Sequence, residues 1–365
     1  MGLIASIGMP EIVAGIMVLA LNAYVLMGGA DFGGGVWDLL ALGPRREAQR
    51  ALIASSIAPV WEANHVWLIV SVVMLFTAFP VAFSTLGIVL HIPISIMLIG
   101  IVLRGSAFVF RSYGAGVGPA RRRWSLAFAG ASILTPLTLG IIIGTIATGD
   151  VGSAAGEVGA ESFARVFVWP WLAPFPIAVG CFALALFAFL AAVYLAVDAA
   201  TAPNTPGHET VDDDSARTRA ELADDFRRRA LIMAALVFVA AAVALALSRA
   251  AAPRLSARVA GAPWSVALHV CTAIAAITAI VALWRRRYRA ARLAAIVQVS
   301  CILWGWAFAQ YPFIIPMTLT IRQASAPAVT LTLLLCGLAA GAVILIPSLR
   351  YLLRTFHGAD DSMTS

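Results

Sequence analysis

Apolar residues dominate the chain in long, nearly uninterrupted stretches, and polar residues collect in the short segments between them. Nine stretches are long enough to cross about 30 Å of hydrocarbon, which takes about 20 helical residues. At this length and apolarity, only a helix satisfies its own backbone hydrogen bonds in lipid. The pattern therefore predicts nine transmembrane helices, near residues 11–36, 52–79, 83–110, 124–147, 170–197, 230–248, 264–284, 291–311 and 326–349.

The composition indicates the same class of protein. Of the 365 residues, 61% are apolar and only 12% are charged, and the mean hydropathy is +0.93. A soluble domain carries about a quarter charged residues. The whole chain, residues 1–365, is thus predicted to be one all-α, polytopic membrane domain. Its net charge of +7 comes from arginine alone, because the sequence contains no lysine. In a membrane protein this balance is typical of positive cytoplasmic loops and not of nucleic-acid binding.

The placement of arginine predicts the orientation. Of the 25 arginines, 19 lie in the segments that follow odd-numbered stretches and five in those that follow even-numbered stretches. Because cytoplasmic loops retain positive charge, the N-terminus is predicted to face outward and the C-terminus to face the cytoplasm. The longest cytoplasmic segment, residues 198–229, is mixed in charge. It is predicted to be a solvated connector with a short surface helix before the sixth stretch.

Few ionisable residues interrupt the apolar stretches, and such residues usually face protein or water and carry function. With about 1.5 Å of rise per residue, Asp31 and Arg104 reach similar depths near the cytoplasmic ends of two descending helices, so they can form an ion pair. The same estimate places Glu62 near the middle of the membrane, with His65 on the same helix face. Asp38 lies at the edge of the first stretch.

Two interpretations of these side chains stay open. In the first, Asp38 and Asp31 gather protons at the cytoplasmic side and Glu62 relays them inward, since desolvated carboxyl groups exchange protons near neutral pH. In the second, Glu62, Asn64 and His65 only form hydrogen bonds that hold helices together. Core packing, pore lining and haem ligation are all compatible with the intramembrane histidines, which are His65, His91 and His269.

Five glycines surround Asp31 in the segment GGADFGGGVWD, residues 28–38. Small residues let helices approach each other closely, and glycine also lets a helix open near its end. Close packing and a backbone opening that admits water to Asp31 are both compatible with this pattern.

Four segments together resemble subunit II of the cytochrome bd-type quinol oxidases, along essentially the whole chain. The family's first motif contains two acids, of which the first is replaced by Gly28 and the second is retained as Asp31. Its second motif contains one acid, which is Glu62 here, and His65 occupies a variable position. The segments are YVLMGGADFGGGVWDLL (24–40), IAPVWEANHVWLIV (57–70), LFTAFP (75–80) and WGWAFAQYPFIIP (304–316).

The resemblance implies an architecture and a function. Subunit II of this family has nine helices, arranged as two four-helix bundles plus one peripheral helix. It pairs with subunit I, which holds haems b and d and the quinol site, and the complex oxidises quinol and reduces dioxygen to water with cytoplasmic protons. A small single-helix subunit and a structural quinone are compatible with the family. The resemblance also implies a location in the bacterial or archaeal plasma membrane and no haem or metal on this chain itself.

Within this resemblance, the proton path consists of Glu62 and Asp31. The residues expected to support it are Asn64, Trp61, Trp67, Asp38 and Arg104. The alternative is a stand-alone proton-coupled transporter that uses the same two carboxylates, which composition alone does not separate from the oxidase. A bd-like enzyme with another electron acceptor is a third possibility, because subunit I selects the acceptor. Co-purification with a haem-bearing partner distinguishes an oxidase from a transporter.

Overall fold

The computed structural model describes residues 7–113, 119–201 and 213–358; within these ranges, the side chains of residues 62, 111–113, 119–122, 213, 215, 345, 346 and 349–358 lie outside the description. The long helices are α1 (Met9–Leu39), α3 (Trp61–Ala78), α5 (His91–Tyr113), α6 (Pro119–Thr148), α10 (Pro174–Thr201), α11 (Asp213–Ala251), α13 (Pro263–Trp284), α14 (Tyr288–Gln310) and α16 (Ala328–Gly358). The shorter helices are α2 (Arg46–Ile57), α4 (Pro80–Val89), α7 (Asp150–Gly156), α8 (Phe163–Phe167), α9 (Trp169–Leu172), α12 (Pro253–Gly261) and α15 (Ile321–Ala324). The strands β1 (Phe313–Ile315) and β2 (Leu319–Thr320) form a small antiparallel hairpin.

Seven helices of the described ranges are long and apolar enough to cross a membrane. An eighth crossing results if the bent pair of α3 and α4, whose axes differ by 114°, counts as one span. The ninth predicted stretch corresponds to a shorter apolar segment, Ala328–Ile344, within α16. The structure therefore confirms a helical, multi-pass membrane protein. The count of nine full spans, their orientation and their grouping into two bundles plus one helix remain predictions.

Two of the predicted stretches are divided, and prolines explain the breaks. The stretch 52–79 begins within α2 and is interrupted by a turn at residues 58–60, which contains Pro59. The stretch 83–110 is interrupted at Leu90, between α4 and α5. Pro93 has no N–H to donate to the carbonyl oxygen of Val89, so the helical hydrogen bond across Leu90 is missing, which favours a break there. The prediction of single helices over these two stretches was wrong.

The charged segment 198–229 also differs from its prediction. Residues 198–201 belong to the end of α10, and residues 202–212 lie outside the described part of the chain. From Asp213 onward the backbone is part of α11, which continues without a break to Ala251. The polar half of this segment is therefore the first half of a membrane-crossing helix and not a separate short surface helix.

Helix α1 lies at the centre of the fold. It packs against α3, α6 and α10, and α10 in turn packs along α11 and α14. The main hydrophobic core joins these helices through buried aromatic side chains that include Phe32, Phe128, Phe187 and Phe226. The first motif on α1 and the second motif on α3 are thus brought into contact with each other and with the main core.

Glycines make the contact between α1 and α10 possible. A Cβ atom at Gly33 would lie 2.1 Å from the backbone oxygen of Phe187, and a Cβ at Gly35 would lie 2.1 Å from Ser132 Oγ on α6. Helix α1 is continuous from Met9 to Leu39, through the whole glycine segment. The glycines therefore serve close packing, and the expectation of a backbone opening beside Asp31 was wrong.

Replacing Gly33 by alanine is expected to lower the free energy of unfolding by about 1–3 kcal/mol, because the added methyl group must push α1 and α10 apart. The measurement is the thermal unfolding midpoint of the detergent-purified protein. Gly15→Ala on the same helix is the matched control, since a Cβ there meets nothing within 4 Å. Equal midpoints for the two variants would contradict the assigned role of Gly33.

Candidate functional site

A buried ion pair lies where α1 meets α5. Arg104 Nη2 is 2.6 Å from Asp31 Oδ1, and the two side chains are 1% and 0% exposed. The same nitrogen donates a hydrogen bond of 2.7 Å to the backbone oxygen of Asp31. The depth estimate from the sequence allowed this pair, and the structure contains it. Because both charges are out of solvent, each depends on the other for compensation.

Helix α6 completes the surroundings of Arg104. The Nε atom of Arg104 donates a hydrogen bond of 3.1 Å to Ser132 Oγ, and that hydroxyl donates to the backbone oxygen of Phe128 at 2.7 Å. The guanidinium carbon lies 4.8 Å from the ring centroids of both Phe32 and Phe128, a cation–π arrangement on two sides. The guanidinium group is thereby held in one orientation by three helices.

Helix α3 adds a third polar side chain to this buried cluster. Asn64 is fully buried, and its Nδ2 atom donates a hydrogen bond of 3.3 Å to Asp31 Oδ2. The Asn64 Oδ1 atom and the hydroxyl of buried Tyr24 have no hydrogen-bond partner among the described residues. Phe32 lies between Tyr24 and His65, in edge-to-face contact with both rings. The cluster of Asp31, Arg104 and Asn64 therefore has unsatisfied polar atoms at its border.

Residue 62 lies in the first turn of α3, because the helix begins at Trp61. The sequence placed Glu62 near the middle of the membrane, on one continuous helix; a new helix begins just before it instead, and its depth in the membrane stays a prediction. The Glu62 side chain lies outside the described part of the chain, so its role stays a prediction. Trp61 is half-buried against the Phe108 ring, with 5.8 Å between centroids, and Trp67 packs at the edge of the main core.

Asp38 is buried but lies apart from the Asp31 cluster. Its Oδ1 atom is 3.8 Å from Arg50 Nε, and Arg50 Nη2 donates a hydrogen bond of 3.3 Å to its backbone oxygen. Asp38 is seven residues beyond Asp31 on α1, which corresponds to about 10 Å along the helix axis. The two acids therefore lie in sequence along one helix and not side by side.

The two remaining intramembrane histidines lie elsewhere. His91 Nδ1 is 2.9 Å from the backbone oxygen of Ile88, and its ring contacts Phe167 edge to face. His269 Nδ1 is 2.6 Å from the backbone oxygen of Ser265, one turn earlier on α13. Within the described residues, no group of three or more His, Cys, Asp or Glu side chains is placed to hold a metal ion. The location of the haems in a partner stays a prediction.

Two polar groups of this region escaped the sequence analysis. Ser132 orients Arg104. Serines are common in apolar helices, so the sequence alone does not indicate that this one contacts an arginine. Asp198 forms a side-chain hydrogen bond with Ser56 of α2 and interacts electrostatically with Arg292. Asp198 is the only charged residue between Pro174 and Thr201, which could have marked it as a functional candidate. It was not considered because the predicted loop 198–229 began at this residue.

Comparison with known proteins gives a consistent result. The family model described as cytochrome bd terminal oxidase subunit II matches residues 9–208 and 215–356. The cytochrome bd ubiquinol oxidase subunit 2 of Bacillus subtilis is 28% identical over 159 residues, which is 44% of this chain and 46% of that protein. The cytochrome bd-I ubiquinol oxidase subunit 2 of Escherichia coli K12 is 28% identical over 131 residues, 35% of this chain and 33% of that protein. Each alignment thus spans less than half of the relative.

A solved structure shares the fold over nearly the whole chain. A chain of the bd oxidase from Geobacillus thermodenitrificans aligns with a TM-score of 0.67 at 23% sequence identity, covering 95% of this chain and 98% of that one. The fold, the motif segments around Asp31 and Glu62, and the match over almost all residues agree with one another. The chain belongs to the cytochrome bd terminal oxidase subunit II family.

Proposed function

We propose that this chain is the subunit of a bd-type quinol oxidase that supports assembly with a haem-bearing subunit I and delivers protons for the reduction of dioxygen to water. The observation that carries the proposal is the buried cluster of Asp31, Arg104 and Asn64, built on the family's two motif segments. A buried ion pair between membrane-spanning helices is costly, and such residues mark ion and proton pathways more often than plain packing.

The contacts of Asp31 support different tasks for the two acids of the proposed path. Asp31 is held by Arg104 and Asn64, so it must break a close contact before it can carry a proton. We therefore assign to Asp31 the task of balancing and orienting polar groups in the apolar core, and to Glu62 the task of carrying the proton. Asp38, further along α1, and Arg50 of α2 form the start of the path on the arginine-rich side.

The polar atoms without partners fit this assignment. Tyr24 OH and Asn64 Oδ1 are buried and lack hydrogen-bond partners among the described residues. Ordered water molecules bind at buried polar atoms of this kind. A proton relay needs a chain of such groups that can both donate and accept hydrogen bonds, and these two atoms, one on α1 and one on α3, supply places where water can join it.

We infer the quinol, dioxygen and haems b and d from membership of the family, and we place all of them in subunit I. The haems would supply electron transfer and dioxygen reduction there, while this chain's residues hold and move protons. Trp61 and Trp67 pack beside the path and keep it apolar. A structural quinone and a small single-helix subunit are compatible with the proposal. A stand-alone proton-coupled transporter is not favoured, because the family match covers nearly the whole chain.

The test is a tagged purification of this chain from its native membrane, followed by a reduced-minus-oxidised visible spectrum. We expect a second large membrane subunit and the bands of haems b and d. The same chain expressed alone is the control, and we expect it to be colourless. A colourless protein without a partner from the native membrane would contradict the proposal and would favour proton-coupled transport.

A further inference from the structure

A cavity of about 270 Å³ opens between the segment that follows α1 and the first half of α11. Its lining includes Leu42, Arg45 and Gln49 from the first segment, and Asp225, Arg228 and Arg229 from α11. It lies on the arginine-rich side of the protein, which is the predicted cytoplasmic side. The cavity shares no residue with the cluster of Asp31, Arg104 and Asn64.

One of the three arginines is already neutralised by the wall itself. Arg45 donates from Nη2 and Nε to the two oxygens of Asp225, at 2.8 and 2.9 Å, and Gln49 Nε2 donates to the same carboxylate at 3.1 Å. Glu221 also accepts a hydrogen bond from Arg45 at 3.2 Å. The hydrogen bonds that Arg45 donates to Asp225 raise the pKa of Arg45. Both oxygens of Asp225 are therefore occupied, and the carboxylate acts as part of the wall.

The other two arginines leave positive charge in the lining. Among the described residues, neither Arg228 nor Arg229 has a carboxylate within 4.0 Å. Arg229 donates from Nη2 to Gln49 Oε1 at 2.9 Å, and its guanidinium group rests on the rings of Trp37 and Phe226. Arg228 is exposed. Unpaired guanidinium groups in a concave surface are suited to bind phosphate oxygens.

The neighbouring surface is apolar. Leu42 is 71% exposed, and Leu39 and Leu40 at the end of α1 are 40% and 47% exposed. A lipid would place its phosphate on the arginines and its acyl chains against these leucines. A free phosphate ion would gain nothing from them. The combination of unpaired arginines with exposed leucines therefore distinguishes a membrane lipid from a soluble anion.

We propose that this cavity binds a phosphate group, and that the phosphate belongs to the headgroup of an anionic phospholipid. Arg228 contacts the phosphate oxygens, and Arg229, which is held by Gln49 and by the backbone oxygen of Leu40, adds positive charge to the wall beside it. The leucines at the end of α1 contact the acyl chains. The bound lipid links the end of α1 to α11. This site is independent of the proposed proton path, so the failure of either proposal leaves the other standing.

The experiment measures lipid binding to the purified complex that contains this chain, in detergent, by native mass spectrometry. The probes are phosphatidylglycerol, phosphatidylcholine and inorganic phosphate. Each basic residue near a membrane surface contributes about 1 kcal/mol, which is about a fivefold change in affinity. We expect Arg228→Gln to bind phosphatidylglycerol about fivefold more weakly than the unaltered protein, and Arg228→Glu about 30-fold more weakly.

The matched control is Arg285→Glu, an exposed arginine between α13 and α14 that does not line the cavity. It is expected to bind phosphatidylglycerol like the unaltered protein. Equal affinity for the two lipids, together with binding of inorganic phosphate that depends on Arg228, would overturn the lipid and assign the site to a soluble ion. Phosphatidylglycerol binding that is the same in all variants would overturn the site itself.

Discussion

Replacing Arg104 by methionine is expected to lower the free energy of unfolding by about 3–5 kcal/mol, because it leaves the carboxylate of Asp31 buried without its cation. Asp31 is 0% exposed, so solvent cannot replace the lost partner. Ser132 also loses the Nε donor of Arg104. The measurement is the thermal unfolding midpoint and the yield of the purified complex.

The double variant Asp31→Asn/Arg104→Met separates the ion pair from simple packing. With neither charge present, the cost of an unpaired buried ion disappears, and we expect the double variant to be more stable than Arg104→Met alone. Arg285→Met, at an exposed arginine, is the control and should change little. Asp31→Asn alone completes the cycle. If the losses of stability in the two single variants add up to the loss in the double variant, Asp31 and Arg104 are not coupled energetically, and the ion pair does not have the role assigned to it.

Replacing Glu62 by glutamine is expected to slow quinol-dependent oxygen consumption by about 10²-fold, the lower end of what positioned proton-transfer groups contribute. Glutamine keeps the size and polarity of the side chain but cannot release a proton. The rate is divided by the haem content, so that a change in the amount of assembled complex does not alter it. Haem content and subunit composition should stay as in the unaltered complex.

Three further variants show whether a slower rate in Glu62→Gln reflects the loss of proton transfer. Glu62→Asp keeps an ionisable group and should retain most of the rate, whereas His65→Gln should leave the rate unchanged, because the path assigns His65 no role. Asp31→Asn should slow turnover in the same direction as Glu62→Gln but less strongly. Loss of the complex in Glu62→Gln would support a role in holding helices together, and an unchanged rate would remove Glu62 from the path.

The ion pair could be predicted from the sequence, whereas its surroundings could not. Asp31 and Arg104 lie in two apolar stretches that run in the same direction through the membrane. Counting residues from the helix ends gives their relative depth, and an error of a few residues in those ends changes it little. Ser132 and Phe128 are ordinary residues of apolar helices, and only the packing of α6 against α1 and α5 makes them neighbours of Arg104.

The helix boundary next to Glu62 could not be predicted from hydropathy. A single proline inside an apolar stretch barely changes the average hydropathy of that stretch. Pro59 nevertheless lies in the turn that separates α2 from α3, so Glu62 lies in the first turn of a helix and not within one continuous helix. The charged segment shows the opposite error. Its polarity indicated a loop, although Arg217, Glu221 and Asp225 are spaced four residues apart as in a helix.

The unbroken length of α11 determines how this protein responds to the thickness of its bilayer. At about 1.5 Å per residue, its 39 residues extend about 58 Å, nearly twice the hydrocarbon thickness. Asp225, about a third of the way along α11, forms an ion pair with Arg45 at the start of α2. Because α11 packs along α10 through the main core and this ion pair adds a polar contact beside α2, α11 does not slide freely along its neighbours to relieve hydrophobic mismatch. A thinner or thicker membrane must therefore be accommodated by tilting the helices together or by deforming the lipid around them.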